Sequence, residues 1–244
     1  MRPLLFQWRG IRIFSYPAMV YLGMVAGVVA GNLVAHAARL DAFRVYVATL
    51  VLFVPALTGA RLFHVVMHWQ LYRDDPGKAW RRNQGGAAQY GGLVLVLLCS
   101  VPLLAWLRLS FATYWDVAIF TILVLMIFGR VGCVLNGCCA GRRSDSWIAM
   151  RLPNHEGVWE RRLPTQFLEL GWAAVLLAGA ILARPRLPFA GALFWLVTAG
   201  YAVGRLWLES MREESVGQRF TVQHGISVLL ITLAIGVFAV GWPK

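Results

Sequence analysis

Residues 129–142, GRVGCVLNGCCAGR, follow the apolar run 118–128 and hold four glycines, three cysteines, one asparagine and two arginines. Polar groups in hydrocarbon are costly unless they find partners, so a lipid-facing helix has no use for this mixture. Three chemistries fit the residue types. A guanidinium grips a phosphate through two parallel hydrogen bonds, which makes Arg130 a candidate anion anchor. Gly132 and Gly141 let backbone come close to a ligand or another helix. Cys133, Cys138 and Cys139, with His155 downstream, suggest a metal or redox centre. Their spacing is not the paired Cys-x-x-Cys of structural zinc, and adjacent cysteines rarely ligate one ion together. Small packing residues are the simpler reading, and neither metal nor cofactor is expected.

Other candidates lie outside this stretch. Arg205 and Glu209 are four apart and share a helix face, so they form a structural ion pair or serve a ligand. His64 and His68 are also four apart and could begin a metal site, but no acidic third ligand stands near them in sequence, and two histidines in an interfacial turn is the plainer reading. Gly91 and Gly92 follow a second glycine pair, Gly85 and Gly86, just before an apolar run. Tyr16, Asn136 and Gln166 could bond headgroup oxygens or simply join helices.

The elements that must hold these residues are membrane spans. Among 244 residues 59% are hydrophobic and only 14% charged, and the mean hydropathy is +0.64. That excludes a soluble domain of this size. Near-chargeless runs at 16–36, 45–69 with Pro55 inside, 93–107, 114–128, 167–183, 188–208 and 222–240 are the material of about seven transmembrane helices. The expected fold is therefore an all-α integral membrane protein, one transmembrane domain over 1–244. It has an interfacial arm at 1–14 and a long polar functional loop at 129–165, with a small β element at 147–152. No small-residue cleavage site follows the first run, so it reads as a retained span. The net charge of +12 falls in the connections, which suits anionic lipid headgroups; nucleic acid is not an expected partner. Four cysteines make no disulfide framework here. Counting Lys and Arg across the connections places the N-terminus in the cytoplasm.

Taken together, these blocks resemble the bacterial prolipoprotein diacylglyceryl transferases. The family signature Gly-Arg-x-Gly-Asn-Phe-x-Asn-x-Glu-x-x-Gly is matched by Gly129, Arg130, Gly132, Asn136 and Gly141. Ser15 and Tyr16 resemble its Trp-Tyr-Gly, and Gly59, Arg61 and Leu62 its Gly-x-Arg-Leu. Tyr90, Gly91, Gly92 and Leu93 stand where it has His-Gly-Gly-Leu. Pro164 through Glu169 resemble Pro-Ser-Gln-Leu-Tyr-Glu, and Arg205 and Glu209 its Arg-Phe-x-x-Glu. The similarity covers nearly the whole chain. Three departures mark a divergent branch: Tyr90 replaces the histidine, Cys133 the signature asparagine and Cys138 the signature glutamate.

The resemblance implies a multi-pass protein of the bacterial inner membrane. Its reaction would move the diacylglyceryl group of phosphatidylglycerol to the lipobox cysteine thiol of lipoprotein precursors, with their signal peptides and membrane lipid as partners. It implies Arg130, Arg205 and Tyr90 as catalytic residues. Tyr16, Arg61, Gly91, Gly92, Gly132, Asn136, Gly141, Gln166, Glu169 and Glu209 would be substrate-binding. A thiol of pKa about 8.5 needs activation, and a tyrosine of pKa about 10 is a poor base, so arginines that lower the substrate thiol's own pKa are the preferred source. The resemblance also puts the N-terminus outside, against the charge count. Arginines recruited to an anionic lipid would spoil that count, so the outside orientation is preferred. Two alternatives remain at this stage: a lipid-binding or lipid-flipping protein that lacks the chemistry, and a cysteine-based metal or redox protein.

Overall fold

A computed structural model describes residues 4–8, 11–73, 75, 77, 89–153, 157–212 and 222–241. Their apolar runs form helices close to the expected spans. These are α1 (Ser15–Ala37), α2 (Ala42–Met67), the single turn α3 (Trp69–Tyr72), α4 (Gln89–Trp106), α5 (Phe111–Asn136), α6 (Thr165–Ala183), α7 (Ala192–Glu209) and α8 (Val222–Gly241). Five stretches of helix are long and apolar enough to cross a membrane: Ser15–Ala37, Ala42–Met67, Phe111–Asn136, Thr165–Arg186 and Val222–Gly241. The shorter Gly91–Trp106 is also apolar. The protein is thus a helical, multi-pass membrane protein.

Two antiparallel hairpins accompany the helices, so the fold is not purely helical. In the arm, β1 (Leu4–Trp8) pairs with β2 (Ile11–Phe14), and after α5 comes β3 (Met150–Pro153) paired with β4 (Trp159–Arg162). The expected β element at 147–152 overlaps β3 and lacked its partner strand. The expected loop 129–165 also begins later than read. Apolar Val131, Cys133, Val134 and Leu135 carry the helix past Gly129 and Gly132 to Asn136. Gly137, at φ 74°, then closes it in the left-handed conformation that glycine adopts without penalty.

The chain divides into two compact units, Met1–Val34 with Trp115–Lys244, and Ala35–Tyr114. In the first, α1 lies against α5 through Gly23, Gly27 and Gly31. A Cβ on Gly27 would stand 2.7 Å from the Thr121 carbonyl oxygen. This four-residue glycine period permits the backbone approach that membrane helices use in place of hydrophobic attraction. Asp116 of α5 caps α7, accepting the N–H of Gly191 at 2.6 Å and of Phe194 at 2.9 Å. A carboxylate at a helix N-terminus satisfies otherwise orphaned donors and explains why α7 starts at Ala192 rather than at Pro188. Trp172 of α6 donates to the Gly200 carbonyl at 3.2 Å, and Arg184 to the Val34 carbonyl at 3.2 Å.

In the second unit α2 and α4 form the same kind of seam. A Cβ on Gly59 would lie 2.5 Å from the Gly91 carbonyl oxygen, and one on Gly92 2.7 Å from that of Ala56. Buried Thr49 meets the Tyr114 hydroxyl at 3.2 Å. His64 and His68 stack with ring centroids 4.4 Å apart, and His68 Nδ1 contacts the His64 carbonyl at 3.0 Å. They make a ring stack, with one nitrogen already engaged, and belong to no three-ligand group among the described residues.

Candidate active site

The end of α5, the start of α6 and the end of α7 bring five charged side chains of the first unit together. Arg130 pairs with Glu169. Arg205 reaches Glu169 at 3.4 Å and Glu209 at 2.8 Å, while Arg212 reaches Glu169 at 2.6 Å and Glu209 at 3.9 Å. Among the described residues three guanidiniums face two carboxylates, which leaves one positive charge in excess. The cluster is secluded: Glu169 and Glu209 have only 8% and 6% of their side chains exposed. Ions so placed persist only as a mutually paired set, because desolvation would otherwise neutralise or expel them. The Nε atoms of Arg205 and Arg212 are buried without a hydrogen-bond acceptor among the described residues. An incoming anion would supply one.

Glu169 therefore pairs with all three arginines, and Glu209 with two of them. Arg212 was not among the residues singled out from sequence. It follows Glu209 by three positions, just past the end of α7, where the chain turns and no helical period points to it. Burial disfavours its charge, but Glu169 and Glu209 more than offset that, and its pKa rises above the usual arginine value.

A stitched turn lies beside the cluster. Gln166 Nε2 donates to the Cys138 carbonyl at 2.7 Å, and Thr165 Oγ1 to the Cys139 carbonyl at 2.8 Å. Gly141 donates its N–H to Leu163 and Arg142 to Met211, each at 2.9 Å, so the turn is held from both sides. A Cβ at Gly141 would stand 2.6 Å from the Met211 carbonyl oxygen, which accounts for glycine there by backbone approach alone. Arg162, fully buried, donates to the Gly141 carbonyl at 3.3 Å and to Glu160 at 2.8 Å. As one of several arginines of the 129–165 stretch, it had no role assigned from sequence.

Gly132 seats α5 on α1, since a Cβ there would lie 3.1 Å from that of Met19 and 3.3 Å from the Tyr16 Cα. Tyr16 has Arg130 and the three clustered cysteines as electrostatic neighbours. Asn136 bonds Cys138, whose thiol is pulled well below its ordinary range by hydrogen bonds from Cys133 and Cys139.

The structure thus gathers Tyr16, Arg130, Gly132, Asn136, Gly141, Gln166, Glu169, Arg205 and Glu209 in one unit. Arg61, Gly91 and Gly92 belong to the other, where Arg61 lies over the Tyr72 ring at 5.7 Å and the glycines serve the α2–α4 seam. Tyr90 is in the first turn of α4, and its side chain lies outside the described residues, as do Gly85, Gly86 and His155.

A family model described as prolipoprotein diacylglyceryl transferase matches residues 3–240. The chain belongs to that family. Relatives named phosphatidylglycerol–prolipoprotein diacylglyceryl transferase include one from Clostridium botulinum strain Hall, 26% identical over 96% of this chain and 95% of its own. The Clostridium tetani relative is 23% identical over 98% and 96%. That of Listeria monocytogenes is 24% identical over 96% and 88%. Identities this low across whole chains describe a divergent member. Within the matched residues, Arg130 stands in the ion cluster through its pair with Glu169.

Proposed function

We propose that this chain is a phosphatidylglycerol–prolipoprotein diacylglyceryl transferase. It moves the diacylglyceryl group of phosphatidylglycerol to a lipobox cysteine, the first step of lipoprotein maturation, and works as a single seven-span transmembrane domain in the bacterial inner membrane. The observation that carries the reading is the buried cluster of Arg130, Arg205 and Arg212, with its excess positive charge, in a chain of this family.

The substrate sulfur forms a bond to the glyceryl carbon as the carbon–oxygen bond to phosphate breaks, and glycerol phosphate leaves with a second negative charge developing. Guanidiniums already fixed by Glu169 and Glu209 need little reorganisation to meet that charge, and fixed donors aimed at developing charge are the strongest catalytic device available to such a site. The same positive field lowers the pKa of the incoming thiol, so the thiol passes its proton to water, and attacks as thiolate, without a histidine at position 90. Tyr16, Asn136 and Gln166 contribute polar contacts to the headgroup.

Labelled phosphatidylglycerol and a lipobox peptide, incubated with the purified full chain, test the reading. The intact chain should transfer label, Arg130→Ala should not, and Tyr90→Phe should keep most activity. An intact, folded chain that binds the lipid yet transfers nothing, and fails to rescue cells depleted of their own transferase, would make it a lipid-binding protein instead. A reporter at Lys244 that is active only in the periplasm would reverse the proposed outside placement of the N-terminus.

A further inference from the structure

Three thiols take no part in the transfer just described, yet the chain brings them together with care. Cys133 sits on the last full turn of α5, and the next residues reverse direction: Gly137 has φ 74° and Cys139, without a glycine's freedom, φ 65°. In extended backbone, adjacent side chains point to opposite faces. The left-handed residue breaks that alternation, so Cys138 and Cys139 can turn the same way, back toward Cys133. The N–H groups of Gly137 and Cys138 both bond the Cys133 carbonyl, at 2.9 and 3.2 Å. All three Sγ atoms lie within 4.8 Å of one another. Sulfurs around one cation at metal–sulfur distances of about 2.3 Å stand about 4 Å apart in a trigonal plane. The thiols are within a small side-chain adjustment of that arrangement.

We infer that Cys133, Cys138 and Cys139 form a three-thiolate binding site for a soft d10 cation, with monovalent copper the best match. The donor set argues for it. The group holds sulfur only, with no carboxylate or imidazole among the described residues, and sulfur ligands select copper(I) and zinc over hard cations. Structural zinc asks for four protein ligands, whereas copper(I) is satisfied by three. Three thiolates around a single positive charge leave the complex anionic, and Arg130 and Arg212 both act on Cys139 to offset it. Accessibility is graded, from exposed Cys139 through half-buried Cys138 to buried Cys133. The turn is already fixed by Thr165 and Gln166, which limits the ordering that binding must impose.

This site does not rest on transferase activity, and its test reads metal rather than turnover. The full chain, purified in detergent and reduced under anaerobic conditions, is titrated with copper(I) against a competing chelator and, separately, with zinc(II). One equivalent of copper(I) per chain is expected, with a thiolate-to-copper absorption band in the ultraviolet. Cys138→Ser and Cys139→Ser should each weaken binding by roughly tenfold or more, the scale on which even supporting changes around metal sites register. Cys99→Ser should leave it unchanged. Cys139→Ser replaces an exposed side chain, and its melting curve shows whether the variant is folded. The inference is overturned if the reduced chain takes no copper(I) from the chelator, if folded Cys138→Ser and Cys139→Ser bind as tightly as the parent, or if Cys99→Ser removes the binding.

Discussion

The two units of this protein bury opposite kinds of material. In the unit formed by 35–114, α2 and α4 meet through Gly59, Gly91 and Gly92, and the buried side-chain contact of Thr49 with Tyr114 is between neutral groups, while the ion pair of Asp41 with Arg44 is nearly half exposed. In the other, α5, α6 and α7 converge on three arginines and two glutamates. A glycine seam has one solution, close approach, and a substitution there acts on packing alone. An ion cluster is costly to bury and specifies where each charge must stand, so a substitution there acts on stability and chemistry together. The charged unit is where function is to be sought.

Glu169→Gln should break the comparison most severely. It leaves three buried guanidiniums facing Glu209 alone, and removing one partner of a buried ion set costs about 3–5 kcal/mol. Most of the variant should be lost from the folded, detergent-extracted fraction on size exclusion. The matching change in the other unit, Asp41→Asn, touches an ion pair with Arg44 in which both side chains are nearly half exposed. It keeps a side chain able to cap α2, so its melting temperature should barely move.

Arg130→Ala follows. Arg205 and Arg212 still compensate Glu169, so the protein should fold. Transfer should fall by about a hundredfold to a thousandfold, the usual effect of removing one fixed donor to a developing oxyanion. A folded Arg130→Ala protein with more than a tenth of parental turnover would place the phosphate elsewhere.

Smaller again is Gly59→Ala, which would set a methyl 2.5 Å from the Gly91 carbonyl. Overpacking of this kind costs about 1–3 kcal/mol. Thermal unfolding should report it, while turnover per folded molecule stays near parental. Gly141→Ala makes an equally close approach to the Met211 carbonyl. Because that turn borders the ion cluster, both stability and turnover should drop.

What the sequence disclosed divides along the same line. Apolar runs and the four-residue spacing of Arg205 and Glu209 were legible because helix period and hydrophobicity are local. The seam of Gly23, Gly27 and Gly31 was equally local, a glycine at every fourth residue, and it went unread among so many other glycines. The roles of Arg212 and Arg162 were not legible in principle, and of the cysteines only their clustering along the chain was, which raised a metal or redox centre without showing how the thiols converge. Arg212 and Arg162 matter through partners on distant segments, and nothing in residues 137–139 announces that Cys139 will take φ 65°. The extra turns of α5 were left open by the shortness of the run 114–128, which allowed continuation into the motif; Gly129 and Gly132, whose poor helix propensity suggested a loop, were overridden by the flanking apolar residues.

The finest separation of the two units is between two threonines, each buried and each changed to valine of nearly the same shape. Thr49 already returns its proton to the Val45 carbonyl at 2.8 Å and meets the Tyr114 hydroxyl at 3.2 Å. Thr165 donates to the carbonyl of Cys139, a residue on the site's own turn. A hydrogen bond of this kind contributes about 0.5–1.5 kcal/mol, so the two variants should melt alike. They should differ in catalysis. Thr49→Val removes a contact between α2 and the first turn of α5, at the opposite end of that helix from Arg130, and should leave turnover unchanged. Thr165→Val loosens the turn next to Arg130, and positioning lost there appears in the rate. Turnover should fall severalfold with little change in lipid affinity. Equal turnover in the two variants would mean that the turn's fixed geometry serves stability alone, and that the ion cluster holds its arginines without it.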